Sequence, residues 1–252
     1  MRYWLVMPAA GVGRRFGATR PKQYAPLQGR TVIEWALAPF LSDPRCAGVV
    51  VGLAAEDPYW GEIADRLAKL PGPLPRLIFV TGGVERSHTV RKGLEALQDH
   101  AAPDDWVLVH DAARPCLSEA DLRSLLERLG SHSAGGLLAA PAADTLKRAG
   151  TTTGSADNVE VEQTVDRAGL WRALTPQMFR YTLLCAALDQ AFASGRLPTD
   201  EAQAVEWTGQ RPVLVQGSAA NIKITSADDL VLASALLQAR ERASVAHEEL
   251  SK

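Results

Sequence analysis

Short apolar runs rich in β-branched residues alternate along this chain with amphipathic segments of helical period, and few architectures accept that pattern. The runs at residues 3–7, 48–53, 77–80, 106–110 and 136–141 read as strands, and the segments between them are long enough for crossover helices. The expectation is an α/β fold with an open, mostly parallel sheet flanked by helices. Helix starts are marked at Thr31–Glu34, a full capping box, and at Ser118–Asp121, its shorter-acid analogue. Residues 87–98, 179–193 and 200–206 also read as helix, residues 213–216 as a strand, and residues 226–249 as a long closing helix.

Between about 142 and 174 the pattern becomes polar and contains Thr and Gly, with alternation over residues 158–165. This predicts an extended hairpin arm that has little core of its own and packs on a second copy as a homodimer. With neither repeats nor a low-complexity linker, residues 1–252 read as one domain carrying that arm.

The 252 residues are 46% hydrophobic and 22% charged, ordinary for a globular protein, and the formal net charge is -2. Such a balance gives no global reason to bind nucleic acid or an anionic membrane, so any anion must be met by local charge. No apolar run approaches the ~20 residues of a membrane span, and Met1 leads into Arg2-Tyr3-Trp4-Leu5-Val6 without a signal-peptide pattern. A cytoplasmic protein is expected. Cys46, Cys116 and Cys185 are far apart and odd in number, which suits apolar packing and neither disulfides nor a zinc site.

In an open parallel sheet, ligands bind beyond the carboxyl ends of the strands, which singles out the loops after Met7 and His110. The first loop places Gly11 and Gly13 directly after a strand, where glycine lets backbone N–H groups approach a phosphate. A dinucleotide fingerprint would need a third glycine where Phe16 stands, and a P-loop would need a Gly-Lys-Ser/Thr ending that is missing. The loop instead carries Arg14, Arg15, Arg20 and Lys22, four cations within nine residues of a slightly acidic chain. That density suits a polyphosphate.

The string Pro8-Ala9-Ala10-Gly11-Val12-Gly13-Arg14-Arg15, followed by Pro21-Lys22-Gln23-Tyr24, resembles Rossmann-like nucleotidyltransferases. In detail it resembles the 2-C-methyl-D-erythritol 4-phosphate cytidylyltransferases of the non-mevalonate isoprenoid pathway. Further matches run in order along nearly the whole chain: Gly82-Gly83-Val84-Glu85-Arg86, Val109-His110-Asp111-Ala112-Ala113-Arg114-Pro115, Asp144-Thr145-Leu146-Lys147, Thr164-Val165-Asp166-Arg167, Leu174-Thr175-Pro176-Gln177, Thr199-Asp200-Glu201-Ala202 and Asn221-Ile222-Lys223.

The resemblance implies attack of the acceptor phosphate on the α-phosphorus of CTP, with release of pyrophosphate. Arg15, Lys22 and Lys223 are then the catalytic cations. Ala9, Ala10, Gly11, Gly13, Arg14, Gly83, Thr89 and Ala112 bind the nucleotide, with Thr89 where serine is expected. Arg114, Thr145, Arg167 and Thr175 bind the 2-C-methyl-D-erythritol 4-phosphate, and the arm reaches a partner's site. Asp111 is the ligand of Mg²⁺; the family's second acidic candidate is Ala220 here, which leaves one carboxylate, nucleotide oxygens and water to hold the ion.

Taken without the resemblance, Arg167 reads as a surface salt-bridge residue, Lys223 as a solvated lysine, and Asp200, Glu201, Asp228 and Asp229 as helix-capping charges. A cytidylyltransferase for another polyol phosphate, such as ribitol 5-phosphate, would carry nearly the same nucleotide loop. A non-catalytic nucleotide-binding protein would have lost a catalytic cation or the metal carboxylate, yet Arg15, Lys22, Asp111 and Lys223 are all present.

Overall fold

The computed structural model describes residues 1–11, 20–150 and 159–250, with side chains up to residue 243. Its center is a seven-stranded sheet. In chain order its members are β1 (Tyr3–Pro8), β4 (Cys46–Leu53), β5 (Arg76–Thr81), β6 (Trp106–Val109), β7 (Gly135–Pro141), β10 (Trp171–Arg180) and β11 (Val213–Gln216). The short pair β2 (Pro26–Leu27) and β3 (Arg30–Thr31) and the antiparallel ribbon of β8 (Leu146–Ala149) and β9 (Val161–Val165) stand apart from it. Across the main sheet the order is β11-β7-β10-β6-β1-β4-β5, parallel except that β10 runs antiparallel to both neighbors.

The period of two is visible in how β1 is buried. Tyr3, Leu5 and Met7 enter one core with Ile33, Leu37 and Phe40 of α1 (Val32–Leu41), Ile63 of α2 (Trp60–Leu67) and Leu125 of α4 (Glu119–Leu129). Trp4 and Val6 enter the opposite core with Leu94 of α3 (Arg86–Glu95), Leu188 of α5 (Tyr181–Ala193) and Val205 of α6 (Glu201–Glu206). Helices therefore cover both faces, and each buried Leu, Val or Ile contributes about 1.5–3 kcal/mol relative to exposure. A third, smaller cluster joins Ala25, Leu27, Val32 and Ile224 to Ala233 and Leu237 of the closing helix α7 (Ala227–Leu250). None of the helices described is long and apolar enough to cross a membrane.

All five strands expected from the apolar runs are present, and both helix-start signals hold. The Glu34 carboxylate accepts from the Thr31 N–H and hydroxyl, while the Ser118 hydroxyl accepts from the Asp121 N–H. The unforeseen element is β10. Residues 171–174, expected at the base of the arm, lie in this central strand, and the helix expected from Phe179 begins at Tyr181. Pro176 and Gln177 mask the strand pattern, because a proline normally argues against an internal strand. Here β10 loses its register with β7 between Ala173 and Gln177, which spares the missing donor.

Candidate functional site

The residues picked out from the two loops converge where the parallel strands end. A cleft of about 200 Å³ is lined by Ala9, Ala10 and Gly11 after β1, by Gly83 and Thr89 at the start of α3, by Asp111 and Ala112 after β6, and by Lys22 and Lys223. The Ala9 N–H donates to the Gly52 carbonyl at 2.7 Å, carrying the β1–β4 ladder to the base of the loop. Gln23 then ties the loop down, its side-chain amide donating to the carbonyls of Ala9 at 2.8 Å and Gly11 at 3.1 Å.

On the opposite wall the Thr89 hydroxyl accepts from the Gly83 N–H at 3.0 Å and donates to the Glu85 carbonyl at 3.2 Å. It shapes the loop from behind. The threonine methyl that a serine would lack fits because residue 52 is glycine: a Cβ there would sit 2.3 Å from Thr89 Cγ2. A Cβ on Gly83 would sit 2.4 Å from His88 Cβ, so glycine is required by packing against α3.

Asp111 is the electrostatic hub. Its Oδ1 accepts from Arg86 Nε at 2.9 Å, its Oδ2 lies 2.7 Å from Lys223 Nζ, and Arg114 Nε stands 3.6 Å from the same oxygen. Burial by itself would raise the carboxyl's pKa, but the charges of Arg86, Lys223 and Arg114 outweigh it and hold the group well below the usual carboxylate range. The neighboring His110 is fully buried, and desolvation pushes its imidazole down to about 4, so it is neutral near pH 7. A carbonyl can only accept, so the contact of Nε2 with the Arg114 carbonyl at 3.2 Å places the ring proton on Nε2. Nδ1 then accepts from the Thr175 hydroxyl at 2.9 Å, and that hydroxyl accepts from the Asp111 N–H at 3.1 Å.

Both cleft lysines are organized by one short segment. Lys22 Nζ donates to the Ile224 carbonyl at 2.7 Å, and Lys223 is the next residue back. The segment is fastened by the Ile224 N–H on the Ala113 carbonyl, by Asn221 Nδ2 on the Thr175 carbonyl at 2.7 Å, and by Arg114 Nη1 on the Asn221 carbonyl at 2.7 Å.

Several expected contributors lie elsewhere. Arg114 and Thr175 are buried and do not line the cleft: Arg114 donates to the Asn221 carbonyl and pairs with Asp111, and the Thr175 hydroxyl joins His110 to the Asp111 N–H, so both brace the Asp111 loop. The geometric reason is that β10 runs next to β6 and brings Thr175 beneath Asp111. Arg20 stacks over the Tyr59 ring at 4.8 Å and lines none of the cleft. Thr145 and Arg167 are exposed near the ribbon, where Arg167 Nη1 meets the Ala143 carbonyl, and neither lines the cleft. Gly13, Arg14 and Arg15 lie outside the described residues.

Three residues were missed by the sequence reading. Gln23 and Arg86 lay within the matching strings but were given no role, while Glu201 was read as a capping charge. Asp200 does the capping, accepting from the Gln203 N–H. Glu201 is buried and takes two bonds from Arg86, at 2.7 and 3.1 Å. A signal existed in the acid pair Asp200-Glu201 at one helix start, since one cap needs only one carboxylate.

Among the described residues no group of three or more His, Cys, Asp or Glu is placed to hold a metal ion. Asp111 nevertheless fits a divalent cation that keeps most of its other oxygens from phosphate and water. It is ionized, it lines the cleft, and its Oδ2 faces a lysine whose side chain is 40% exposed.

Residues 3–239 match the profile of the family described as 2-C-methyl-D-erythritol 4-phosphate cytidylyltransferase. A protein of that name from Halorhodospira halophila is 51% identical over 244 residues, covering 96% of this chain and 97% of its own. Another from Acidithiobacillus ferrooxidans is 52% identical over 242 residues, covering 95% and 98%. Among solved structures, a 4-diphosphocytidyl-2C-methyl-D-erythritol synthase superimposes with a TM-score of 0.78 at 36% identity, covering 94% of this chain and 98% of that one. The Francisella tularensis 2-C-methyl-D-erythritol 4-phosphate cytidylyltransferase does so with a TM-score of 0.75 at 33% identity, covering 94% and 100%. With the profile spanning nearly the whole chain and the cleft built from the loops that carry the matching strings, the chain belongs to the 2-C-methyl-D-erythritol 4-phosphate cytidylyltransferase family.

Proposed function

We propose that the protein transfers the cytidylyl group of CTP to 2-C-methyl-D-erythritol 4-phosphate, giving 4-diphosphocytidyl-2-C-methyl-D-erythritol and pyrophosphate for isoprenoid synthesis. The observation that carries this reading is the meeting of Lys22, Lys223 and Asp111 in one cleft with the backbone of Ala9 to Gly11 and Gly83. An oxygen of the acceptor phosphate attacks the α-phosphorus of CTP, and the bond to the bridging oxygen breaks as pyrophosphate leaves. Charge develops on the α-phosphate oxygens, where preorganized cations lower the barrier more than water can.

Lys22 is held at the cleft by the Ile224 carbonyl and meets the phosphates with little reorganization, whereas Lys223 would exchange Asp111 for phosphate. Arg15 and Arg14, between Gly11 and Lys22 in sequence, add charge to the triphosphate. Asp111 would hold Mg²⁺ together with phosphate oxygens and water, and the ion would neutralize charge on the bound polyphosphate.

The arm supports a homodimer. β8 is exposed throughout, and Leu146, Val159, Val161, Leu170 and Trp171 present apolar surface that one chain leaves uncovered. Packing of this surface on a second copy would bring Thr145 and Arg167 to the partner's cleft and account for their distance from their own. The deciding assay follows pyrophosphate release from CTP and Mg²⁺ with 2-C-methyl-D-erythritol 4-phosphate, ribitol 5-phosphate or no acceptor. Release with the first acceptor alone, abolished in Arg15→Ala and Lys22→Ala that still fold, is the expected result. Equal release with ribitol 5-phosphate, or near-normal turnover of both variants, would refute the assignment.

A further inference from the structure

All three nitrogens of the Arg86 guanidinium are committed to two carboxylates from distant parts of the chain. Nε serves Asp111 Oδ1 at 2.9 Å, while Nη1 and Nη2 serve Glu201 at 2.7 and 3.1 Å. Arg86 opens α3, Asp111 lies two residues past the end of β6 and Glu201 opens α6, so one planar group ties three parts of the cleft wall together. A guanidinium with both edges occupied can present Nε in one direction only.

Glu201 is 1% exposed, and a buried carboxylate needs a reason to be there. Neither capping nor docking of α6 supplies one. Asp200 caps the helix through the Gln203 N–H, and Gln177 joins it to β10, donating to Asp200 at 3.0 Å and accepting from the Ala202 N–H at 2.8 Å. The side-chain contacts of Glu201 are with Arg86.

We infer that Glu201 is a positioning residue that acts through Arg86: it aims the guanidinium so that Asp111 Oδ1 is pinned and Oδ2 alone exchanges between Lys223 and a bound metal ion. The inference rests on the reading of Asp111 as the metal ligand. It makes the pair a support for metal-dependent nucleotide binding, with no direct contact to substrate required. Positioning partners of metal ligands typically contribute 10–100-fold to metal affinity.

The test uses the full chain and titration calorimetry of CTP at a series of Mg²⁺ concentrations, without acceptor. Glu201→Gln keeps the size of the side chain, and Arg86→Lys keeps the charge but cannot serve both carboxylates. Each is expected to raise the Mg²⁺ concentration required for tight CTP binding by about tenfold, on the scale set for such partners, with CTP binding in the absence of Mg²⁺ unchanged. Asp200→Ala, which removes the cap of the same helix, is expected to lower the melting temperature and leave the Mg²⁺ requirement as in the parent. A parent-like Mg²⁺ requirement in folded Glu201→Gln or Arg86→Lys overturns the inference, as does an equal shift in Asp200→Ala, which would make the effect one of helix stability. Should CTP binding to the parent be indifferent to Mg²⁺, the metal reading of Asp111 falls and takes this inference with it.

Discussion

Lys223 Nζ lies 2.7 Å from Asp111 Oδ2, so the cation assigned to the phosphates and the carboxylate assigned to the metal are direct partners. With a polyphosphate and its Mg²⁺ bound, Lys223 would pair with phosphate and Asp111 would hold the ion. Removing Lys223 therefore loses more than a charge.

Lys223→Ala should lower turnover by about 100-fold or more, the scale for a preorganized group at a developing oxyanion. The side chain is 40% exposed, so its ion pair adds under ~1 kcal/mol to stability and the melting temperature should barely move. Steady-state kinetics beside a thermal melt checks both halves.

Gln23 holds the backbone from Ala9 to Gly11 by the carbonyls at both ends. Gln23→Ala should free the Ala9–Gly11 backbone that lines the cleft and reduce kcat by roughly 10- to 100-fold, since displacement of about 1 Å can cost that much. Gln23→Glu, which cannot donate to the two carbonyls, should be no better. Normal kcat in both would show that the Ala9–Gly11 backbone is held by other means.

Gly83→Ala forces a Cβ to within 2.4 Å of His88 Cβ, so either the loop or the first turn of α3 must shift. The expected result is weaker CTP binding by about tenfold or more from misplacement of the Gly83 backbone, measured by calorimetry, with activity at saturating CTP less affected.

Acid stability should depend on Glu34, which caps α1 through Thr31 and takes two bonds from Arg66 at 2.8 and 2.9 Å. Burial raises its carboxyl, but the Arg66 and Thr31 bonds win and hold it below its ordinary value of 4.5. The folded state thus binds the proton less readily than the unfolded chain. The stabilization is fully present above pH 4.5 and is lost as the pH falls below that value toward the folded-state pKa. Glu34→Gln should cost about 2 kcal/mol at pH 7, a gap that narrows in acid when urea unfolding is followed against pH.

Val161 on the arm is 59% exposed, so charge there cannot disturb a core. Val161→Glu should leave the melting profile of the monomer fold intact and shift the sedimenting species from dimer to monomer. An unaltered dimer would move the interface away from the arm.

Local order was legible wherever a short-range rule decides the outcome. Residues 3–7 and 48–53 announced themselves as strands by apolar, β-branched composition, Thr31 and Ser118 as helix starts by capping chemistry, and Ala9 to Gly11, Lys22 and Asp111 by their place after strands. The strand at Trp171–Arg180 was hidden because Pro176 breaks the local rule and the sheet tolerates it only through a lapse in register.

Taken alone, the sequence determined the α/β class, the strand-end placement of the site and, through its ordered motifs, the family. Tertiary structure decided which side chains face the cleft. Thr175 and Arg114 lie buried against the Asp111 loop, while Glu201, read as a cap, holds Arg86, which in turn holds Asp111, a residue 90 positions earlier in the chain. The physical reason is that pairing partners for a buried charge or hydroxyl are set by how strands lie side by side, and that arrangement is written in contacts between distant residues, which no local pattern encodes.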